Sequence, residues 1–430
     1  MILNHPLSEK DQQISRKYYV AFNVVNGFSY MCLGETVLLL FAVKLGCPDS
    51  VVAVLGSMIF LGFLLLPLGK VMTARSGAAG SQANFWILRN LAALVVASAA
   101  PVSLYFGLIP AAVLLIIGAF LFYGFRAAGV VMSQPLVGEV CPEDQQGGFM
   151  FRCWFCFYGS GLAALLLISW LLYIDTTIWM LLAVVVTGAI FGLISAGFIR
   201  RIRESGEIMH SARKPMLAAV IQACRNGDII RQMISGMSCN ALTIMIVPIS
   251  MLTLKRGCGV SDSSALLYSL VQFGSSTLVC GLLGRIADRF GGRKVTVGGF
   301  CTLALIPVFW LFAPSEFRWY WFLIPFLLCP AGTVVTVVGL QQYFLRTIPK
   351  DQQIAASMVI SVATGVVSGI IGSLLSTTLL KLASVISGEV SGLSVYKWYF
   401  AGVLILLPVF GVLTCLLRKE TLISVPKGKN

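Results

Sequence analysis

Histidine is almost absent from this chain. His5 and His210 are its only two, and each lies in a polar stretch, so no metal cluster can be assembled from spacing and no metal is expected. A Gly-x-x-x-x-Gly-Lys loop is missing, which excludes a nucleotide-driven pump of the phosphate-loop kind. Neither a Ser/His/Asp set nor paired carboxylates stand out, so an enzyme is not expected, and no cofactor is implied. Charge is the scarcest commodity: charged residues are 11% of 430, against 58% hydrophobic. A soluble globule needs polar residues to cover its surface, so this composition excludes one.

What is there instead is a series of long apolar runs. They lie near 18–44, 51–72, 84–104, 109–137, 149–173, 178–199, 230–254, 264–284, 295–313, 319–343, 355–380 and 396–417. Each is long enough to cross about 30 Å of hydrocarbon. Backbone amides in lipid must bond internally, so the runs are expected to be helices. The alternating pattern of an outer-membrane barrel is missing. The expected fold class is therefore an all-α polytopic membrane protein with twelve transmembrane helices, in contact with the lipid bilayer. The first run is too long for a signal-peptide core, and a polar leader with Lys10, Arg16 and Lys17 precedes it.

Charge sets the orientation. With both termini inside, 22 of the 31 basic residues fall on the inner side and 6 on outer connections, while Arg89, Arg126 and Arg152 lie within spans. That asymmetry is the positive-inside pattern, and it accounts for the net charge of +14. A nucleic-acid footprint is the competing reading of so basic a chain. It fails because the spans keep the charged loops apart, so no nucleic-acid partner is expected. A multi-pass cell-membrane protein with cytoplasmic termini follows. Short termini and the absence of Asn-x-Ser/Thr point to a bacterial inner membrane.

The chain also repeats itself. Lys44-Leu-Gly-Cys47 returns as Lys255-Arg-Gly-Cys258, Gly69-Lys-Val-Met as Gly284-Arg-Ile-Ala, and Pro142-Glu-Asp-Gln-Gln146 as Pro349-Lys-Asp-Gln-Gln353. The offsets, 207 to 215 residues, are nearly constant, and each pair falls at matching places between spans. Two six-span halves, 1–199 and 230–430, are expected to be pseudo-symmetric about an axis along the membrane normal. The charged stretch 200–229 would be a cytoplasmic linker.

At this point the chain resembles the major facilitator superfamily. The turn after span 8 reads Gly284-Arg-Ile-Ala-Asp288-Arg289-Phe-Gly291-Gly292-Arg293-Lys294, close to that family's best-known cytoplasmic signature, with Gly292 where Arg is usual. The resemblance implies that Gly284, Asp288, Arg289, Gly291 and Arg293 form a conformational latch that holds the halves together when the inner side is closed. In the first-half copy Thr73 stands where the acid should be, which implies one strong clamp and one weak one. The family's alternating-access mechanism implies a small-molecule substrate moved by two rocking halves, in a chain that acts as a monomer.

Ionisable residues inside spans are costly unless they face a cavity or a partner. Arg89 and Arg152 lie about a turn inside the inner ends of spans 3 and 5, where snorkelling to the cytoplasm is the expectation. Glu35 lies about 25 Å along span 1 from Tyr18, and Arg126 about 20 Å outward from Glu139, so the two sit at similar depth. Several proton-coupled members of the superfamily resemble this arrangement, which makes Glu35 and Arg126 candidates for proton coupling. A structural ion pair is the alternative. Uncharged polar residues mark candidate substrate contacts. Asn23, Asn26 and Tyr30 share a face of span 1, and Tyr268, Gln272 and Ser275 form a stripe on span 8. Asn240 in span 7 and Thr333 and Thr336 in span 10 add donors and acceptors, with interhelical bonding as the alternative for each. Ser361, Gly365, Gly369 and Ser373 form a small-residue stripe on span 11. The expected function is secondary transport of a small organic solute, with protons as the possible coupling partner. An uncoupled facilitator, or a transport-dead sensor or lipid scrambler on the same fold, is the rival.

Overall fold

The computed structural model describes the chain except residues 1, 4, 48–50, 52–53, 56–57, 60, 176, 214, 261, 351, 390–391 and 419–430. Within helices it leaves undescribed the side chains of 35, 36, 39, 216, 217, 219, 255, 262–266, 269 and 284–288. Nine helices among the described residues are long and apolar enough to cross a membrane. One of them, Gly62–Phe106, has 45 residues. At 1.5 Å per residue it would be about 68 Å long, twice the bilayer, so it must fold back on itself. It does so at Gly77, whose φ of +74° is a conformation that only glycine adopts without strain. Spans 2 and 3 are the two arms of this hairpin.

Span 1 begins at Glu9 because Ser8 and Asp11 close a capping box. The helix Glu9–Cys32 stops at Leu33, and a second piece, Glu35–Lys44, restarts from Gly34. Leu108–Val140 forms span 4, and Gln146–Ile174 and Ile178–Arg200 form spans 5 and 6. In the second half, span 7 is Gly227–Leu252 and span 8 Asp262–Phe290, followed by span 9, Gly292–Leu311, and span 10, Trp319–Thr347. Gln353–Ser387 forms span 11 and Leu393–Thr414 span 12.

The helices gather into two compact units. The first holds Met1–Pro142, Cys156–Ala219 and Pro349–Met358; the second holds Glu143–Phe155, Val220–Ile348 and Val359–Asn430. The short segments that leave their own half, 143–155 and 349–358, are the ones that begin within the repeated Pro-x-Asp-Gln-Gln sequence. The internal repeat is thus expressed in how the chain partitions. It is expressed in backbone geometry too, since Gly291, between spans 8 and 9, has a φ of +81° to match Gly77 between spans 2 and 3.

Small residues set the helix spacing. A Cβ on Gly299 would lie 2.4 Å from Thr336 Oγ1, and one on Gly292 would lie 2.5 Å from both Gly339 O and Tyr343 N. Spans 9 and 10 are therefore in backbone contact, the usual way of packing where lipid supplies no hydrophobic drive. The departure of Gly292 from the family signature has its physical reason here: no side chain fits at that position. The stripe expected on span 11 is corrected in register. Ala363–Val367 forms a π-helical turn, and its extra residue rotates everything after it by about 100°. The buried small residues beyond it are Ser368, Gly369, Gly372 and Ser376, while Ser373 is exposed.

Candidate functional site

Spans 1, 3 and 4 bring a polar cluster together in the middle of the first unit. Asn26 is buried, and its Oδ1 accepts the Trp86 indole N–H at 2.9 Å and Arg89 Nη1 at 3.3 Å. The Arg89 guanidinium lies 5.2 Å from the Trp86 ring and 5.0 Å from that of Phe122. Arg126 stands 4.9 Å over the Tyr30 ring, and Tyr30 in turn packs 5.4 Å from Phe157. Arg89 is about 18 Å into span 3 from the Gly77 turn, and Arg126 about 20 Å in from Glu139, so the two cations share a depth near the bilayer centre. The Glu35 side chain lies outside the described residues.

This overturns the snorkelling expectation for Arg89, which is 1% exposed. The helix of span 3 starts at Ala78, immediately after the turn, so Arg89 is three turns in rather than one and cannot reach water. Its Nε and Nη2 have no hydrogen-bond partner among the described residues. Arg152 is exposed.

The other polar candidates, Gln272 apart, have hydrogen-bond partners within their own unit. Asn23 Nδ2 donates to Tyr19 O, one turn back on its own helix, at 2.8 Å. On span 8, the Tyr268 hydroxyl donates to Trp319 O at 3.1 Å and Ser275 to Leu327 O at 2.6 Å, so both tie span 8 to span 10 or its start. Gln272 is half-buried between them. Asn240 donates to Thr364 O inside the π turn of span 11. Thr333 and Thr336 bond back to Cys329 O and Gly332 O of their own helix. Thr336 is the residue against which Gly299 packs. Among the described residues of the predicted set, Asn26, Tyr30 and Arg126 therefore converge, joined by Arg89, which was expected to snorkel, and by Trp86.

For the latch, the helix through 284–288 is continuous, but the Asp288 side chain and the surroundings of Gly284 lie outside the described residues. Arg289 is exposed and lies 5.9 Å from the Phe290 ring, Gly291 makes the turn, and Arg293 is half-buried. In the first-half turn, Thr73 is buried and bonds back to Gly69 O at 2.8 Å. Near that turn, after span 6, Glu204 accepts the backbone N–H groups of Ala78 and Ala79, at 2.7 and 3.1 Å, at the start of span 3. An anion there meets the positive end of a helix. Burial nevertheless pushes the Glu204 carboxyl up to about 7; the Ala78 amide draws it down, and the neighbouring Glu139 charge pushes it further up.

Around Glu204 the segment after span 6 is stitched to the helix ends. Ile2–Leu3 pairs in parallel with Glu204–Ser205, and Glu139 accepts from both the amide and the hydroxyl of Ser205. Ser15 bonds to the Arg203 backbone, and Arg203 pairs with Asp11. An acid directly after Arg200, Arg201 and Arg203 was the trace of this in the sequence.

Among the described residues no group of three His, Cys, Asp or Glu side chains could hold a metal ion. No protein-family model and no curated protein matches the sequence. Solved structures do match over nearly the whole chain. A bacterial homologue of the iron transporter ferroportin, outward-facing, aligns at 12% identity and TM-score 0.71, over 93% of this chain and 98% of its own. The proton:xylose symporter XylE, bound to 6-bromo-6-deoxy-D-glucose, aligns at 16% identity and TM-score 0.66, over 95% of each chain. The E. coli fucose:proton symporter FucP aligns at 12% and TM-score 0.64, over 95% of this chain and 98% of its own. At such identities the likeness is one of fold.

Proposed function

We propose that this chain, which has the fold of the major facilitator superfamily, is a secondary transporter that moves a small organic solute across the membrane by alternating access. The observation that carries the reading is the whole-chain likeness to structures of transporters, with a polar cluster at mid-depth on spans 1, 3 and 4. Two of the three structures are named as proton symporters. Coupling in this chain is assigned to Glu35 and Arg126. A carboxylate in hydrocarbon favours its protonated form and a nearby guanidinium its ionised form, so a contact made in one conformation and lost in the other links proton binding to movement. Asp288 is assigned the inner latch, both termini the cytoplasmic side, and the monomer the working state.

The experiment is solute uptake into proteoliposomes under an imposed pH gradient, compared with counterflow exchange without one. Glu35→Gln should abolish accumulation and spare exchange. Equal accumulation by variant and parent would remove Glu35 from coupling and favour the uncoupled facilitator. No flux of any solute by the parent would favour a sensor or scrambler.

A further inference from the structure

We infer that the midplane cluster of the first unit is an anion site, and that the transported solute carries a carboxylate or phosphate group held by Arg126 with Arg89 behind it. This inference rests on the transport reading for the word transported, but not for the binding.

The charge of the described cluster is unbalanced. Arg89 and Arg126 approach each other at one depth, close enough that the positive charge of Arg126 bears on Arg89. Neither pairs with an acid among the described residues. The described ion pairs, Arg203–Asp11, Arg231–Asp228, Lys350–Glu207 and Arg418–Asp228, involve neither arginine. Two cations in a low-dielectric interior repel each other and lose hydration together, and such groups are retained where they meet a counter-charge.

Nothing described in the cluster supplies that counter-charge. Asn26 offers one neutral oxygen, already shared between Trp86 and Arg89. The faces of Trp86, Phe122 and Tyr30 give the cations aromatic quadrupoles, which attract but do not neutralise. Arg89 retains two nitrogens, Nε and Nη2, buried and without a partner among the described residues. Buried polar groups are normally satisfied, so an orphaned pair of guanidinium donors marks a missing acceptor.

The two arginines divide the work by exposure. Arg89 is enclosed between Trp86 and Phe122 and acts as a fixed positive charge. Arg126 is half-buried, with its planar fork over Tyr30, and can present two parallel N–H donors to one anionic group. A carboxylate and a phosphate ester share that chemistry. A neutral sugar or an organic cation does not: the first leaves both charges unbalanced, and the second adds a third.

The test uses the full chain purified in neutral detergent. The probes are acetate, succinate, citrate, glycerol phosphate and inorganic phosphate, set against glucose, glycerol and choline. Two readouts are taken: the thermal unfolding midpoint, and phenylglyoxal labelling of Arg126 read by peptide mass spectrometry. At least one organic anion should raise the midpoint and protect Arg126, and Arg126→Gln should weaken that anion's effect by about tenfold or more, with Arg126→Lys retaining part of it. Inorganic phosphate acting alone would assign the site to a free anion rather than to an organic solute and overturn the substrate claim. Stabilisation by neutral or cationic solutes only, anion stabilisation that survives Arg126→Gln, or no protection of Arg126 by any probe would each overturn the site itself. Protection on the parent decides the matter even if the variants fail to fold. A chain that binds anions through Arg126 but moves none in proteoliposomes would sink the transport reading and leave this site standing. Flux of a neutral solute unaffected by Arg126→Gln would do the reverse.

Discussion

Replacing Glu204 by Gln should remove a pH dependence from the protein's stability. Folding raises the proton affinity of this carboxyl, to about 7 from about 4.3 in an unfolded chain. The folded state therefore binds more protons between those values. Its contribution to stability is complete below about pH 4 and is lost as pH rises through 7. At 1.36 kcal/mol per pKa unit the loss is of order 3 kcal/mol. Gln imitates the protonated side chain, keeping one oxygen for Ala78 or Ala79 and carrying no charge toward Glu139. The assay is thermal unfolding of the purified chain in detergent, followed by tryptophan fluorescence from pH 5 to pH 8. The parent should unfold a few degrees lower at pH 8 than at pH 5; the variant should lose most of that difference and exceed the parent at pH 8. A parent that gains stability with pH across this window, or a variant with the parent's full slope, would refute the reasoning.

The remaining predictions concern packing, a predicted substrate contact and topology. Gly292→Arg, which restores the residue usual in the family signature, should lower the yield of monodisperse protein in size-exclusion chromatography, because even a Cβ there meets Gly339 O and Tyr343 N at 2.5 Å; Lys294→Ala, on the exposed side of the same turn, should not. Tyr268→Phe should cost about 0.5–1.5 kcal/mol of stability through the lost bond to Trp319 O and leave solute affinity unchanged; a drop in affinity at constant stability would make Tyr268 a substrate contact. Single cysteines placed in a cysteine-free background at 205–213 and at 258–260 should be labelled from opposite sides of the membrane, and labelling from one side would collapse the orientation argument.

How much was legible in the sequence depended on what kind of signal carried it. The spans were legible because hydrocarbon demands long apolar runs, and the half-repeat because three turns kept their residues. The depth of Arg89 was misread for an instructive reason. Ser76-Gly-Ala-Ala-Gly-Ser-Gln-Ala83 has the composition of a loop, but those small residues form the first turns of span 3, where Gly77 alone makes the bend. Starting the span at residue 84 placed Arg89 near the water. The partners of Asn240 and Ser275 were not legible either, since helical spacing shows which residues share a face but not which carbonyl each will meet. Glu204 lay beyond reach because its role depends on a helix end far away in sequence.

The π turn in span 11 has a consequence for the gene as well as for the helix. Elsewhere in a packed span, losing one codon turns every later side chain by about 100° and unseats the face that holds the helix in place. Between Ala363 and Val367 the same deletion would remove the surplus residue, heal the turn into regular helix and leave Gly369, Gly372 and Ser376 facing as they do now. The cost would fall on Asn240, whose amide would lose the carbonyl of Thr364. Span 11 is in this sense one residue too long for the job its buried face performs, and that residue is the one place where the span's reading frame has slack.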